Sequence, residues 1–506
     1  MKNQVQLIAY ADRLGTGGVA GVAALLKGPL RGLFGGIHLL PFFLPIDGAD
    51  AGFDPIDHTR VDPKIGDWAD VRALARQVDV MADVIVNHMS IDSPQFRDYS
   101  KSGKASRFNG LFLTFDSVFP AGASQSDLQA IYRPRPAAPF TEVHCENGDK
   151  RVVWTTFTSK QVDINVRNPI GAAYLENILD ILSSNGVRSI RLDAVGYAIK
   201  RAGTSCFMLP ETFDFIDDFS SAARSRGVET LVEIHSHYSL QKQIAAHADW
   251  VYDFALPPLV LHAFASATAK CLKEWIKMRP TNALTVLDTH DGIGIIDIGS
   301  DRSDPIERPG LAAAEELDRI VEYVHQNSRD QSRLATGASA ANLDLYQINC
   351  TFYDAMGRDD DRYIMARAIQ FFLPGIPQVY YVGFLAGCND IELLRRTGVG
   401  RDINRHFYDE LEIANALKQA VVVRLSALIR LRNTHPAFSG TFELRSSSDT
   451  SLAVRWSLGI DAVSLYVDFA SNEFDLQCSP VSWGELLDVI NCQITERISS
   501  SDETDR

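Results

Sequence analysis

The sequence predicts an α/β fold: a (β/α)8 barrel with inserted subdomains after strands 3 and 7 and a C-terminal antiparallel β domain. Three observations carry this. Eight short runs are apolar on both faces, as strands buried in a parallel sheet must be. Amphipathic helical stretches separate many of them, which parallel strands need as crossovers. Past residue 437 the pattern changes to apolar and polar residues in alternation, the signature of an antiparallel sheet with one wet face.

In chain order the runs are "VQLIAYAD" (5–12), "GGIHLLPFF" (35–43), "DVMADVIVNH" (79–88) and "VRSIRLDAV" (187–195), then "ETLVEIHS" (229–236), "DWVYDFAL" (249–256), "NALTVLDTHD" (282–291) and "GIPQVYYVG" (375–383). Eight strand–helix units are what closure of this barrel takes. Helices are expected at 170–184, 211–226 and 362–373. Two spacings exceed a helix and a loop. Residues 89–167, rich in Phe, Pro, Ser and Gly, read as an inserted B subdomain, and 293–357 as a second insert (B′). The catalytic barrel is then 1–88, 168–292 and 358–437. Residues 438–506 form the C-terminal β domain, with strands in "TSLAVRWSL" (450–458) and "DAVSLYVDF" (461–469) and a tail, "SSSDETDR", expected to fray.

Bulk properties narrow the function. A chain of 506 residues with 46% hydrophobic and 22% charged residues can bury a large core. A net charge of −15 argues against a nucleic-acid partner, which would want a basic face. The seven cysteines are scattered, odd in number and without a CxxC, so free thiols of a reducing cytoplasm are expected rather than disulfides or a zinc site. "MKNQVQLIAYADRLG" reads as a first strand, not a signal peptide, and no apolar run is long enough to span a bilayer.

Chemistry in a (β/α)8 barrel sits where its strands end. The third run delivers Asn87 and His88, the fourth Arg191 and Asp193, the fifth Glu233 and His235, and the seventh His290 and Asp291. A lone acid at such a place is more often a helix cap. Three acids brought to one mouth raise each other's pKa and cost stability, so such a cluster points to function. A metal site is one reading, ranked low on the expectation that neither an HxH nor an HExxH spacing supports it. Glycosyl transfer is the other: one carboxylate attacks the anomeric carbon, another protonates the leaving oxygen, and a third grips sugar hydroxyls. An arginine beside the nucleophile is expected to keep it ionised.

The four segments "DVIVNH" (83–88), "IRLDAVGY" (190–197), "LVEIHS" (231–236) and "VLDTHDG" (286–292) resemble, in order, the signature regions of the α-amylase superfamily, family 13 of the glycoside hydrolases. The resemblance implies that Asp193 is the nucleophile, Glu233 the general acid and base, and Asp291 the transition-state stabiliser. It implies that Arg191 orients Asp193 and that His88 and His290 contact glucose. Within that superfamily, "GADAGFDPIDHT" (48–59), "IYRPRP" (131–136), "RLDAVGYAIKRAGTSCFM" (191–208), "NLDLYQIN" (342–349) and "RDINRH" (401–406) closely resemble the sucrose phosphorylases. By that resemblance Asp50 and Arg401 bind the non-reducing end of glucose, and Phe53 and Phe157 wall the cleft. Arg135 and Tyr346 hold phosphate, and His235, Asp344 and Gln347 hold fructose.

The expected reaction is retaining phosphorolysis of sucrose to glucose 1-phosphate and fructose, in the cytoplasm, without metal or cofactor. Its partners are small molecules, with no nucleic acid or membrane involved, and the resemblance admits a homodimer. Acidic Asp344 in the acceptor loop disfavours sucrose 6′-phosphate, while glucosylglycerol and glucosylglycerate remain alternatives, as does an amylase-type hydrolase or transglucosidase. A non-catalytic barrel is the outside alternative, and retention of all three acids counts against it.

Overall fold

In the computed structural model the described residues are 1–48, 50–134, 137–301, 308–336 and 347–491. Eight parallel strands close into a barrel: β1 (Gln6–Ala9), β2 (Gly36–Leu39), β3 (Asp79–Ile85), β4 (Ser189–Asp193), β5 (Glu229–Val232), β6 (Trp250–Asp253), β7 (Ala283–Thr285) and β8 (Ile376–Tyr380). Each lies inside one of the eight apolar runs. β1 closes the ring by pairing with β2 on one side and β8 on the other.

The three expected helices form at Pro169–Ser184, Pro210–Ser225 and Asp360–Phe372, each starting one or two residues early because its N-terminal cap precedes the apolar pattern. Asn168, for example, accepts from the amide of Ile170 at 3.0 Å, and Pro169 then takes the first helical position, where no amide donor is missed. Gly171 lets this helix approach the backbone, since a Cβ there would lie 2.1 Å from the carbonyl oxygen of Asn165.

The stretch after β3 builds small two-stranded sheets, pairing Phe140–His144 with Lys150–Trp154 and His88–Ser90 with Gln161–Asp163. The stretch after β7 carries the helices Ala314–Asn327 and Gln331–Thr336. Behind the barrel lies a four-stranded antiparallel sheet of Thr441–Arg445, Ser451–Leu458, Asp461–Asp468 and Glu473–Ser479. It docks on the barrel through Trp456, whose indole donates to the carbonyl of Phe372 at 2.6 Å. The expected fraying tail lies outside the described residues.

Register decides what the barrel offers its mouth. On the parallel pair β3–β4, Arg191 sits beside Asp83 and Asp193 beside Ile85. The barrel interior is therefore not wholly apolar near the top. His38, Asp83, Arg191 and Gln378, all fully or nearly fully buried, fill it with a hydrogen-bonded polar layer. No helix of the described residues is long and apolar enough to cross a membrane.

Candidate active site

Arg191 is the hub of the mouth. Its Nη1 donates to Asp83 Oδ1 at 2.7 Å and to Asp193 Oδ1 at 2.8 Å, and its Nη2 lies 3.6 Å from Glu233 Oε1. Asp83 is held from behind by His38 Nε2 at 3.0 Å. Burial pushes the Asp83 carboxyl up, but His38 and Arg191 outweigh it and hold it at about 2. Asp83 stays charged, anchors the guanidinium and lets it project along the barrel axis toward the two acids above.

One guanidinium thus serves three carboxylates, and Arg191 favours the charged form of Asp193 as expected, but against burial and its acidic neighbours. Burial pushes the Asp193 carboxyl well up. Arg191 opposes this, while the charges of Glu233, Asp83 and Asp291 add to it. Ala194, in the left-handed region at φ 55° just after Asp193, ends the strand abruptly and starts the short turn Val195–Tyr197. Non-glycine residues held there are strained, as is common at working sites.

Asp291 is handled differently. Arg401 Nη1 lies 2.8 Å from its Oδ1, and Arg401 Nη2 donates to Gln347 Oε1 at 3.4 Å. Burial pushes Asp291 up, but Arg401 above all holds it well below the usual carboxylate range. His290 stacks flat on Phe53, centroids 4.9 Å apart at 8°. His88 packs against Phe157 at 5.1 Å and shares hydrogen bonds with the carbonyl of Phe53 (3.0 Å) and with Gln161 (3.3 Å). Burial pushes both imidazoles down, leaving them neutral and able to donate to or accept from a sugar hydroxyl.

Asp50, Phe53, His88, Phe157, Asp193, Glu233, His235, His290, Asp291, Gln347 and Arg401 all line one cleft at the strand ends, with Arg191 buried beneath them. Arg135, Asp344 and Tyr346 lie outside the described residues. Sequence reasoning missed Asp83 and His38, which carry the Arg191 hub, and Tyr197 and Phe207, which line the cleft in ring contact at 4.8 Å. Asp83 was legible in principle, because it opens the quoted segment "DVIVNH" at a buried strand position.

The chain is similar to known proteins over nearly all of its length. The model of the alpha-amylase catalytic domain matches residues 9–291. A sucrose phosphorylase of Agrobacterium vitis is 57% identical over 95% of this chain and 98% of its own length.

The chain belongs to the α-amylase family, in its sucrose phosphorylase branch.

A second sucrose phosphorylase, from Bifidobacterium adolescentis, is 53% identical over 90% of each chain. The crystal structure of a sucrose 6F-phosphate phosphorylase from Thermoanaerobacter thermosaccharolyticum superposes with a TM-score of 0.85 at 36% identity, covering 94% of this chain and 96% of the other. As a member of this branch the chain is an enzyme of the glycosyl-transferring kind.

A metal reading of the mouth meets committed donors. Glu233, His235 and Asp291 offer ligand atoms within 4.8 Å of one another. Yet Asp291 is paired with Arg401, and His235 Nδ1 faces Asp297 Oδ2 at 3.3 Å. An HxH spacing does occur, at His235 and His237, which corrects that expectation, but the ring nitrogens of His237 go to Ser239 (2.8 Å) and to the carbonyl of Pro309 (3.1 Å). A group of His262, Cys271 and Glu316 also exists, with His262 bonded to Glu316 at 3.1 Å. Dialysis against EDTA is expected to leave turnover within about twofold of the untreated enzyme, because no step needs a Lewis acid once Arg401 and Arg191 neutralise the acids. A loss restored by zinc or magnesium would reverse this.

Proposed function

We propose that this member of the family catalyses the phosphorolysis of sucrose to α-D-glucose 1-phosphate and D-fructose by double displacement. Asp193 attacks the anomeric carbon as the bond to fructose breaks, and Glu233 gives its proton to the departing oxygen. A phosphate oxygen then attacks the glucosyl ester, and Glu233 takes a proton back. Two inversions leave the anomeric configuration retained. Asp291 carries the third charge against the oxocarbenium-like transition state. The steps are reversible, and an alcohol in place of phosphate gives transglucosylation.

The observation that carries this reading is the uneven grip of Arg191. It contacts Asp193 at 2.8 Å but Glu233 only at 3.6 Å. A guanidinium orients most firmly the acid it touches, so Asp193 is fixed in place while Glu233 is left freer to reach the leaving oxygen. A positioned nucleophile and a more loosely held acid suit the two steps. Phosphate as the second acceptor, rather than water, is supported by the kinship with sucrose phosphorylases and by the sequence of the acceptor loops.

Sucrose incubated with phosphate should yield glucose 1-phosphate, with little free glucose in its absence; equal glucose release in both would sink the proposal. Among sucrose, sucrose 6′-phosphate, glucosylglycerol and glucosylglycerate, sucrose should be cleaved fastest.

Two further outcomes follow. Because burial and its acidic neighbours push Asp193 up, kcat/KM for sucrose should fall on the acid side well above the ordinary carboxylate range, as Asp193 takes up a proton. Glu233→Gln should lower kcat on sucrose by about 10²–10⁴. It should spare formation of the glucosyl ester from α-glucosyl fluoride, whose leaving group needs no proton. Equal losses on both donors would remove Glu233 from its role.

A further inference from the structure

His235 is held in an arrangement that donor binding alone does not require. Its ring lies flat on Phe254, centroids 3.9 Å apart at 15°. Its Nδ1 faces Oδ2 of Asp297 at 3.3 Å. Asp297 is completely buried, and its Oδ1 accepts from the amide of Ser236 (3.2 Å) and from Gln241 Nε2 (3.0 Å). Gly294 keeps the contact open, since a Cβ there would lie 2.7 Å from Asp297 Oδ2 and 3.1 Å from His235 Nδ1. The other ring nitrogen, Nε2, is buried, has no hydrogen-bond partner among the described residues, and lies 3.8 Å from Glu233 Oε1.

We propose that Asp297 is a positioning residue that holds His235 as an imidazolium with Nε2–H directed at the incoming acceptor beside Glu233, and so favours anionic phosphate over water in the second half-reaction. This rests on the phosphorolysis reading above. Once Glu233 has delivered its proton it is an anion, and a second anion entering next to it is repelled. A cation fixed beside Glu233 offsets that repulsion, whereas neutral water has no use for it. Among the described residues the charged groups facing His235 are Asp297 from the insert after β7, Glu233 from its own strand end and Asp291 from the end of β7, all carboxyls, with the π face of Phe254 below. Burial pulls the His235 imidazole down, but the hydrogen bond and charge of Asp297 outweigh it and raise it. In His88 and His290 burial outweighs the nearby carboxyls, although His290 Nε2 lies 3.5 Å from Asp291 Oδ2, and both are pushed down. Of the three cleft histidines, the one on the acceptor side is thus biased toward the cation and the two on the glucose side toward the neutral form.

The test uses the full-length enzyme with α-glucosyl fluoride as donor, so that fructose plays no part. In Asp297→Asn, KM for phosphate should rise about tenfold, the loss of one charge-assisted hydrogen bond. The rate of the first half-reaction should fall by much less. The share of free glucose over glucose 1-phosphate should rise, and the alkaline limit of phosphate use should move to lower pH. His235→Gln should show the same loss of phosphate preference, and adding Asp297→Asn to it should cost nothing more. An unchanged phosphate KM and pH profile in Asp297→Asn, or full additivity in the double variant, would overturn the proposal. If the wild-type enzyme makes no glucose 1-phosphate at all, the phosphorolysis reading itself falls.

Discussion

Asp193→Asn is expected to lower turnover on sucrose by at least about 10⁴-fold, because no neighbouring group can form the ester in its place. The amide keeps the shape of the carboxylate, and its oxygen can still accept from Arg191 Nη1, now at 2.8 Å from Asp193 Oδ1. The loss should therefore lie in the chemical step, with sucrose still bound. The same substitution should stabilise the fold at neutral pH. The Asp193 carboxyl is pushed well above its unfolded value, so the folded state favours its protonated form. Stability from a raised group is fully present below the unfolded pKa, near 4, and is lost as pH rises through the folded value. The wild-type enzyme carries that penalty at pH 7, and the amide does not. The thermal midpoint of Asp193→Asn should match wild type near pH 4 and exceed it increasingly toward pH 7. Retained turnover would refute the nucleophile, and a variant less stable than wild type at pH 7 would refute the charge balance.

The barrel was legible because its strands are buried on both faces. Each of the eight apolar runs contains its strand, since no polar alternation competes with the burial signal. The inserts were legible only as spacings that are too long. Their short strands, such as His88–Ser90 against Gln161–Asp163, pair residues far apart in sequence and leave no local period. At the site, strand-end acids could be listed because the fold dictates where strands end. What lies under them could not. Asp83 and His38 sit in apolar runs, where a charged residue reads as an interruption, and only the β2–β3–β4 register makes them the support for Arg191. The unequal distances from Arg191 to Asp193 and Glu233, 2.8 and 3.6 Å, have no counterpart in one dimension.

That support makes Arg191→Met the second large effect. The side chain is 2% exposed and its guanidinium carbon lies 5.5 Å from the ring of Phe53; a methionine keeps the apolar stem, reaching about as far as Nε, and removes the charged head. The loss is therefore one of charge rather than packing. Removing one partner of a buried ion pair costs about 3–5 kcal/mol, because the other charge stays buried and unpaired. Here two strong partners, Asp83 and Asp193, lose their cation together. Both carboxyls are then raised relative to wild type, so the deficit should grow as pH rises and shrink toward pH 4, where they are protonated. The double variant Arg191→Met/Asp193→Asn should recover part of the stability lost at pH 7 and none of the activity. Thermal unfolding of the two variants at pH 5 and pH 7.5 checks this. A deficit independent of pH, or a double variant no more stable than the single one, would mean that Arg191 acts through shape and that the three acids do not share it as their common counter-charge.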